Sequence, residues 1–410
     1  MARKGIFWRY AVWQTYLPKA KLLAQAAMSQ GFAWHPKAQL FDAAGQSVPQ
    51  GEPVQGVIAA VPASAALARL GASAFRIGGG GPAPEVGPEP VFETLTGGSS
   101  GIPRRIRRTQ ASWIASFGVN AGLFGIGPHC KVAVLGELIH SLALYGAIEA
   151  LHLGAELHLL GDLRPDRQRT ALAARGVRLL YATPAQLRLL VAVGGAALPD
   201  LRYALVGGSK LDPALRAAMA QMAPACVVHE FYGAAEASFI TLAGPNTPPD
   251  AVGSAYPGVE LRVSDGEVWV KSPYLFQGYA SDAGSARWHE GFLSVGEMGR
   301  LQDGQLYLSG RASRMVKVAD QAVYPEEIES FLLAQTGVIQ AAVLPRPDAL
   351  RGVHLVAVLQ GDAAQEQVIL QASRTEFGPL KSPKTLIWRD DFALLPSGKP
   401  DLRRLKRDVR

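Results

Sequence analysis

From Lys131 onward the chain alternates short apolar runs with helix-patterned segments, and this alternation constrains its fold more than any other feature. The runs Lys131-Val-Ala-Val-Leu135, Val177-Arg-Leu-Leu-Tyr181 and Tyr203-Ala-Leu-Val206, with helical patterns between them, signal an α/β layered sheet. The helix starts agree. Thr183-Pro-Ala-Gln186 has the form of a capping box with proline at the first helical position, and Asp212-Pro213 opens another helix the same way. Beyond Gly258 the pattern turns to β hairpins, with Glu260-Leu-Arg-Val263 and Glu267-Val-Trp-Val270 joined by the turn Asp265-Gly266. From Arg311 to the end, strands at Val338 to Leu344 and Leu355 to Leu359 mix with helices, one of which starts at Pro325-Glu-Glu-Ile. The Gly/Pro density of Gly78 to Pro90 forbids regular structure, so this segment reads as a linker or exposed loop.

At 410 residues the chain is too long for one ordinary core and calls for cooperating domains. Its 48% hydrophobic and 18% charged residues supply enough apolar surface to offset the entropy of ordering them. A membrane span is not expected, because the Ala/Leu-rich stretch Ala143 to Leu160 is interrupted by Glu149, His152 and Glu156. Met1 to Tyr16 lacks the unbroken apolar centre of a signal peptide, which points to the cytoplasm. Two cysteines, Cys130 and Cys226, cannot build a disulfide framework or a zinc site and read as core thiols. The net charge of +7 comes from scattered basic residues without an aromatic stripe, so a nucleic-acid partner is not expected.

Chemistry enters at Thr96-Gly-Gly-Ser-Ser-Gly-Ile-Pro-Arg104, where glycines and hydroxyls provide a backbone able to wrap an anion. The stretch lacks the Gly-Lys-Ser/Thr of a Walker A loop. It resembles the Thr-Ser-Gly-Ser-Thr-Gly-x-Pro-Lys phosphate loop of the adenylate-forming superfamily, which holds acyl-CoA synthetases, adenylation domains and luciferases. Four more segments match in order: Tyr232-Gly-Ala-Ala-Glu236, Gly291-Phe-Leu-Ser-Val-Gly-Glu297, Gly310-Arg311 through Glu329, and Leu395-Pro-Ser-Gly-Lys-Pro-Asp401. The resemblance runs from Phe92 to the C-terminus, and the region before the loop is shorter than the family usually carries.

The resemblance implies an α/β protein with a large multi-sheet N-terminal domain over 1–310, binding AMP and the acid. A small mobile α+β domain over 311–410 would carry the catalytic lysine and swing about Ser313. It further implies that Thr96, Ser99, Ser100 and Gly101 cradle phosphates of ATP, and that Glu236 holds Mg²⁺. Tyr232 and Gly233 would meet the adenine, Glu297 and Arg311 the ribose, and Gly207 and Gly208 would line the acyl and adenine pocket. Lys399 would bridge the substrate carboxylate and the α-phosphate, with His140 near that carboxylate. The segments Gly118 to Gly125 and Phe231 to Ile240 read as a small apolar lining suited to an aryl or medium acyl acid.

The implied reaction is ATP-dependent activation of a carboxylic acid through an acyl-adenylate, followed by transfer to a thiol: CoA, or the phosphopantetheine of an acyl carrier protein. The basic tail Arg403 to Arg410 would suit an acidic carrier. Several positions depart from the pattern. Glu297 stands for Asp, Ala235 for Thr, Ser313 for Asp or Lys, Arg104 for Lys, and Asp320 for a glycine beside the pantetheine tunnel. These departures leave open a third reading, a weakened nucleotide- or acyl-binding regulatory module, although Glu236, Arg311 and Lys399 all remain.

Overall fold

The structure is a computed structural model that describes residues 31–95, 104–244, 246–280, 286–319, 321–348, 352–395 and 399–408. Among these residues the largest sheet has a parallel centre, in the order Val227–Ala234, Tyr203–Val206, Leu179–Ala182, Lys131–Val134, Glu156–Leu159 and Gln39–Phe41. Its inner strands Tyr203–Val206, Leu179–Ala182, Lys131–Val134 and Glu156–Leu159 are buried on both faces, which explains why they read as unbroken apolar runs. The period of two then sorts their side chains. Val132, Val134, Leu179, Tyr181 and Leu205 join one core with the helices Gln110–Phe124 and Ser141–Leu153. Ala133, Leu180, Ala182, Ala204 and Val206 join a second core with the helices Pro184–Ala192 and Pro213–Met222.

Local signals act where the sequence places them. Thr183 and Gln186 form both bonds of the capping box, and Asp212 accepts from the backbone N–H of Leu215 at 2.8 Å. Asp265 and Gly266 take φ of 51° and 77°, the left-handed pair a two-residue hairpin needs. The run expected at Val177 to Tyr181 begins later, as Leu179–Ala182, because Val177 N–H still closes the preceding helix on the Leu172 carbonyl.

Past Val227–Ala234 the sheet turns antiparallel through Ser238–Leu242, Ser254–Ala255, Gln305–Arg311 and Phe292–Gln302, ending on the hairpin Glu260–Ser264 with Glu267–Lys271. A second sheet pairs Gly56–Ile58, Ala74–Ile77 and Val91–Leu95 in parallel, then Arg105–Thr109 and Gly278–Tyr279 antiparallel. Leu95 lies opposite Arg105 at the end of the pairing between Val91–Leu95 and Arg105–Thr109.

Gly78 to Pro90 has no helix or strand, yet its first residues are anchored rather than a free linker. The wholly buried Arg76 donates to the carbonyls of Gly78 (3.0 Å), Gly80 (3.2 Å), Gly81 (3.3 Å) and Pro82 (2.9 Å), and pairs with Glu93 at 2.6 Å. A buried guanidinium must have every donor satisfied, and the irregular backbone supplies the acceptors.

After Arg311 come a two-stranded sheet, Val316–Val318 with Gln321–Val323, and a three-stranded one, Val338–Asp348, Gly352–Gly361 and Thr385–Trp388. The helices Pro325–Leu333 and Glu366–Lys381 pack beside them over a separate core of Val318, Ile328, Leu332, Val343, Leu355 and Ile369. The result is a large multi-sheet α/β N-terminal part and a smaller C-terminal α+β part. Among the described residues no helix is long and apolar enough to cross a membrane.

Candidate functional site

The parallel strands of the large sheet run the same way, so the residues that follow them lie along one edge. Gly207 follows Tyr203–Val206, Tyr232 lies just past the parallel pairing of Val227–Ala234, which ends at Glu230, and His140 is the N-cap of Ser141–Leu153. The His140 Nε2 is buried with no hydrogen bond among the described residues, and so is the Tyr232 hydroxyl. Burial, reinforced by Glu297 and Glu236, raises the Tyr232 phenol well above its ordinary pKa, so it stays protonated as an unpaired donor. Leu95, immediately before the anion-binding stretch, bridges to His140.

Glu236 sits in the turn between Val227–Ala234 and Ser238–Leu242. Its Oε1 accepts from the Tyr279 hydroxyl at 2.9 Å, and its backbone carbonyl accepts from Phe276 N–H at 2.8 Å. The Arg104 guanidinium stands 5.1 Å from the centre of the Tyr279 ring. Buried Arg108 donates to the carbonyls of Ala235 and Tyr274 from behind the turn. Desolvation pulls its pKa down to about 9 while the Glu236 charge holds it up. Gly233 is a packing requirement: a Cβ there would lie 2.3 Å from the Ser238 carbonyl oxygen, at the irregular step in the hairpin register.

Glu297 and Arg311 lie opposite each other on Phe292–Gln302 and Gln305–Arg311, with Nε to Oε1 at 3.0 Å. Burial lowers the Arg311 pKa, but Glu297, Tyr232 and Glu236 together raise it further, so these four side chains share one electrostatic neighbourhood. Lys399 belongs to it too. On the C-terminal part Leu394 bridges to Pro400, and the Leu395 N–H donates to the Lys399 carbonyl at 2.8 Å. Lys399 keeps solvent contact, while the surrounding protein and the Arg311 charge lower its pKa and Glu297 raises it. Where the two parts abut, a Cβ on Gly310 would meet Glu326 Oε2 at 2.6 Å, so the junction admits no side chain there. Beyond it, Arg314 forms a bidentate pair with Glu329 at 2.9 and 2.7 Å.

Arg311 thus lies within electrostatic reach of Tyr232, Glu236, Glu297 and Lys399, while Gly207 follows a strand end and His140 caps a helix start. Gly208, beside Gly207, takes φ of +100°. Thr96, Ser99, Ser100, Gly101 and Asp320 lie outside the described residues. Tyr279 and Arg108 carry no sequence signal, since their role depends on a strand pairing between distant segments. The lining assigned to Gly118 to Gly125 needs correction: it lies within and just past the helix Gln110–Phe124, and Asn120 on it is a wholly buried polar group bonded to Glu149 and Tyr256. Cys130 and Cys226 are free, and burial raises their pKa to about 11 and about 12.

Whether the residues fit Mg²⁺ and a nucleotide is tested by the donor set. Among the described residues no group of three or more His, Cys, Asp or Glu gathers as a protein-only metal cage. Mg²⁺ ordinarily uses one or two carboxylates together with substrate phosphates, so the Glu236 carboxylate, oriented by the Tyr279 hydroxyl, fits it.

Solved structures with this arrangement exist at low sequence identity. ATP-bound MatB from Rhodopseudomonas palustris superposes with a TM-score of 0.77 at 20% identity, covering 95% of this chain and 99% of that one. The o-succinylbenzoate CoA synthetase MenE from Bacillus subtilis, solved with its acyl-adenylate, gives 0.68 at 22% identity over 77% and 68% of the two chains. At the sequence level, the uncharacterized acyl-CoA ligase YhfT of Bacillus subtilis (strain 168) is 30% identical over 343 residues, 80% of this chain and 70% of that protein. Residues 35–280 match the AMP-binding enzyme family and residues 327–399 its C-terminal domain. The chain belongs to the AMP-binding enzymes and, with them, to the adenylate-forming superfamily, as an acyl-CoA ligase-like member.

Proposed function

We propose that this protein activates a carboxylic acid with ATP, releasing pyrophosphate, and passes the acyl group from the acyl-adenylate to the thiol of CoA. The observation that carries this reading is the Glu297–Arg311 pair, 3.0 Å apart at the junction of the two parts, with the Lys399 ammonium close enough to feel both charges. Mg²⁺, when bound, neutralises charge on the phosphate oxygens of ATP. Glu236 would hold it, fixed in orientation by Tyr279. Thr96, Ser99, Ser100 and Gly101 would cradle the phosphates, and Arg104 would add a cation at the end of that loop.

Tyr232 and Gly233 would meet the adenine, and Glu297 with Arg311 the ribose. The pairing bears on the Asp-to-Glu departure, because the extra methylene lets Glu297 span the strand pair to Arg311. Lys399 would place its charge where negative charge grows as the acid attacks, and His140 would offer its unpaired Nε2 to the carboxylate. The division of labour falls at Gly310 and Arg311: residues 1–310 bind, and residues 311–410 deliver Lys399 and then turn about Ser313 to open the thiol's path.

The similarity to YhfT, named an acyl-CoA ligase, supports CoA as acceptor over a carrier protein. The test is ATP–pyrophosphate exchange driven by a panel of carboxylic acids, followed by transfer from preformed adenylate to CoA or to holo carrier protein. Acid-dependent exchange with transfer to CoA is expected. Exchange with transfer only to the carrier would reassign the acceptor, and no exchange with bound ATP would remove the ligase reading.

A further inference from the structure

The strand Arg105–Thr109 alternates half-buried with buried positions, which puts Ile106 and Arg108 on its inner face. Ile106 is the kind of residue an inner face calls for; Arg108, just as buried, is not. Both terminal nitrogens of its guanidinium go to backbone carbonyls rather than to a carboxylate, and Nε has no partner among the described residues. Taking such a cation out of water is costly, and an apolar side chain of similar volume would fill the space without that cost. Arg108 differs from a filler in the two segments that it joins.

One carbonyl belongs to Ala235, the residue before Glu236, and the other to Tyr274, which opens the segment leading to Tyr279. Arg105, on the same strand as Arg108, holds the far end of that segment, Nη2 donating to the Ala280 carbonyl at 2.9 Å. Between the two ends, Gln277 N–H bonds the Arg107 carbonyl and Ala280 N–H bonds the Arg105 carbonyl, both at 2.9 Å. Residues 274–280 are thereby pinned to one strand, and from there they give Glu236 two contacts. Phe276 N–H donates to its carbonyl at 2.8 Å, and the Tyr279 hydroxyl to its carboxylate at 2.9 Å. Arg108 thus bonds at once the turn that carries Glu236 and the segment that orients it. Of the charges that act on Arg108, the Glu236 carboxylate is the strongest.

We propose that Arg108 is a positioning residue for Glu236: by tying Ala235 to Tyr274 it fixes the carboxylate against the Tyr279 hydroxyl, ready for the Mg²⁺ that accompanies ATP. This rests on the reading of Glu236 as the carboxylate that holds Mg²⁺. A lysine would replace Arg108 only in part, since a single ammonium lacks the planar fork that reaches two carbonyls. A neutral side chain would leave both carbonyls without this donor and the two segments without their tie.

The test measures the affinity for a non-hydrolysable ATP analogue with and without Mg²⁺, the ratio being the tightening that the metal gives. It is applied to the wild type, Arg108→Met, Arg108→Lys, Glu236→Gln and the two double variants. Arg108→Met should lower the ratio by about tenfold, the scale for a partner that orients a metal ligand, with metal-free affinity within about twofold. Arg108→Lys should lose less. In the Glu236→Gln background either substitution should change the ratio no further, because the two residues act as one unit. An undiminished further loss in that background would overturn the proposal, and so would equal weakening with and without the metal. An unchanged ratio in Arg108→Met would do the same while leaving the ligase reading intact. If Arg108→Met does not fold, Arg108→Lys and its double variant carry the comparison. A wild type that binds the analogue but gains nothing from Mg²⁺ would overturn the metal role of Glu236 and this proposal with it.

Discussion

Lys399 and Glu236 carry opposite charges, each within electrostatic reach of Arg311, and their replacement should separate two kinds of contribution. Lys399→Ala removes one preorganised cation and should lower adenylate formation by about 10² to 10³, with ATP binding retained. The check is single-turnover adenylate formation beside a nucleotide-binding titration, and a wild-type rate would remove Lys399 from the chemistry. Glu236→Gln keeps the shape and the Tyr279 contact but gives a hard cation a poorer ligand. The Mg²⁺ concentration needed for half-maximal exchange should rise, and an unchanged titration would exclude Glu236 from the metal site. These two residues were legible because each stands in a motif of fixed spacing. Tyr279 and Arg108 were not, because Tyr279 is far in sequence from Glu236 and both reach its turn only through a sheet that pairs distant strands.

At the scale of the element, the helix Ser141–Leu153 carries a residue whose sequence role and structural role diverge. Glu149 reads as an interruption of an apolar stretch, yet it is wholly buried and accepts from Asn120, Tyr145 and Tyr181. Burial pushes its pKa up to about 8, the hydrogen bonds opposing the rise, so the folded protein holds a proton that the unfolded chain loses near the ordinary carboxylate value. Between those two values the native state binds more protons than the unfolded state, so this group's contribution to stability falls as pH rises. It is fully present below about pH 4.5 and gone above about pH 8. Glu149→Gln should flatten the decline of the urea midpoint between pH 5 and 8 and gain most at pH 8. A midpoint that falls equally steeply in both proteins would show that Glu149 does not hold its proton.

The molecule as a whole carries Lys399 on its C-terminal part and the Glu297–Arg311 pair on the strands that lead into it. Ser313 lies in a short 3-10 turn, Ala312–Arg314, between Gln305–Arg311 and the C-terminal sheets, with Arg314 already locked to Glu329. Rotation there would take Lys399 away from Arg311 and expose the adenylate to a thiol. Ser313→Pro, which restricts the backbone at the turn, should slow single-turnover transfer to CoA by at least about tenfold while leaving pyrophosphate exchange within about twofold. Equal slowing of both steps would show that the turn positions Lys399 rather than permitting a movement.

The sequence by itself determined the α/β layering, the capped helices, the Asp265-Gly266 hairpin and the motif residues, all of which rest on periodicity or fixed short spacing within one segment. It could not determine that Arg76 gathers the carbonyls of the Gly/Pro-rich stretch, because nothing local marks a guanidinium as buried. Nor could it show what fills the space beside its glycines. Gly118 to Gly125 and Phe231 to Ile240 look small and open as strings, but the space beside a glycine belongs to whatever side chain tertiary packing turns toward it. At Gly207 that side chain is Phe231, and only the packed structure decides it, because close packing is a property of neighbours brought together from distant parts of the chain.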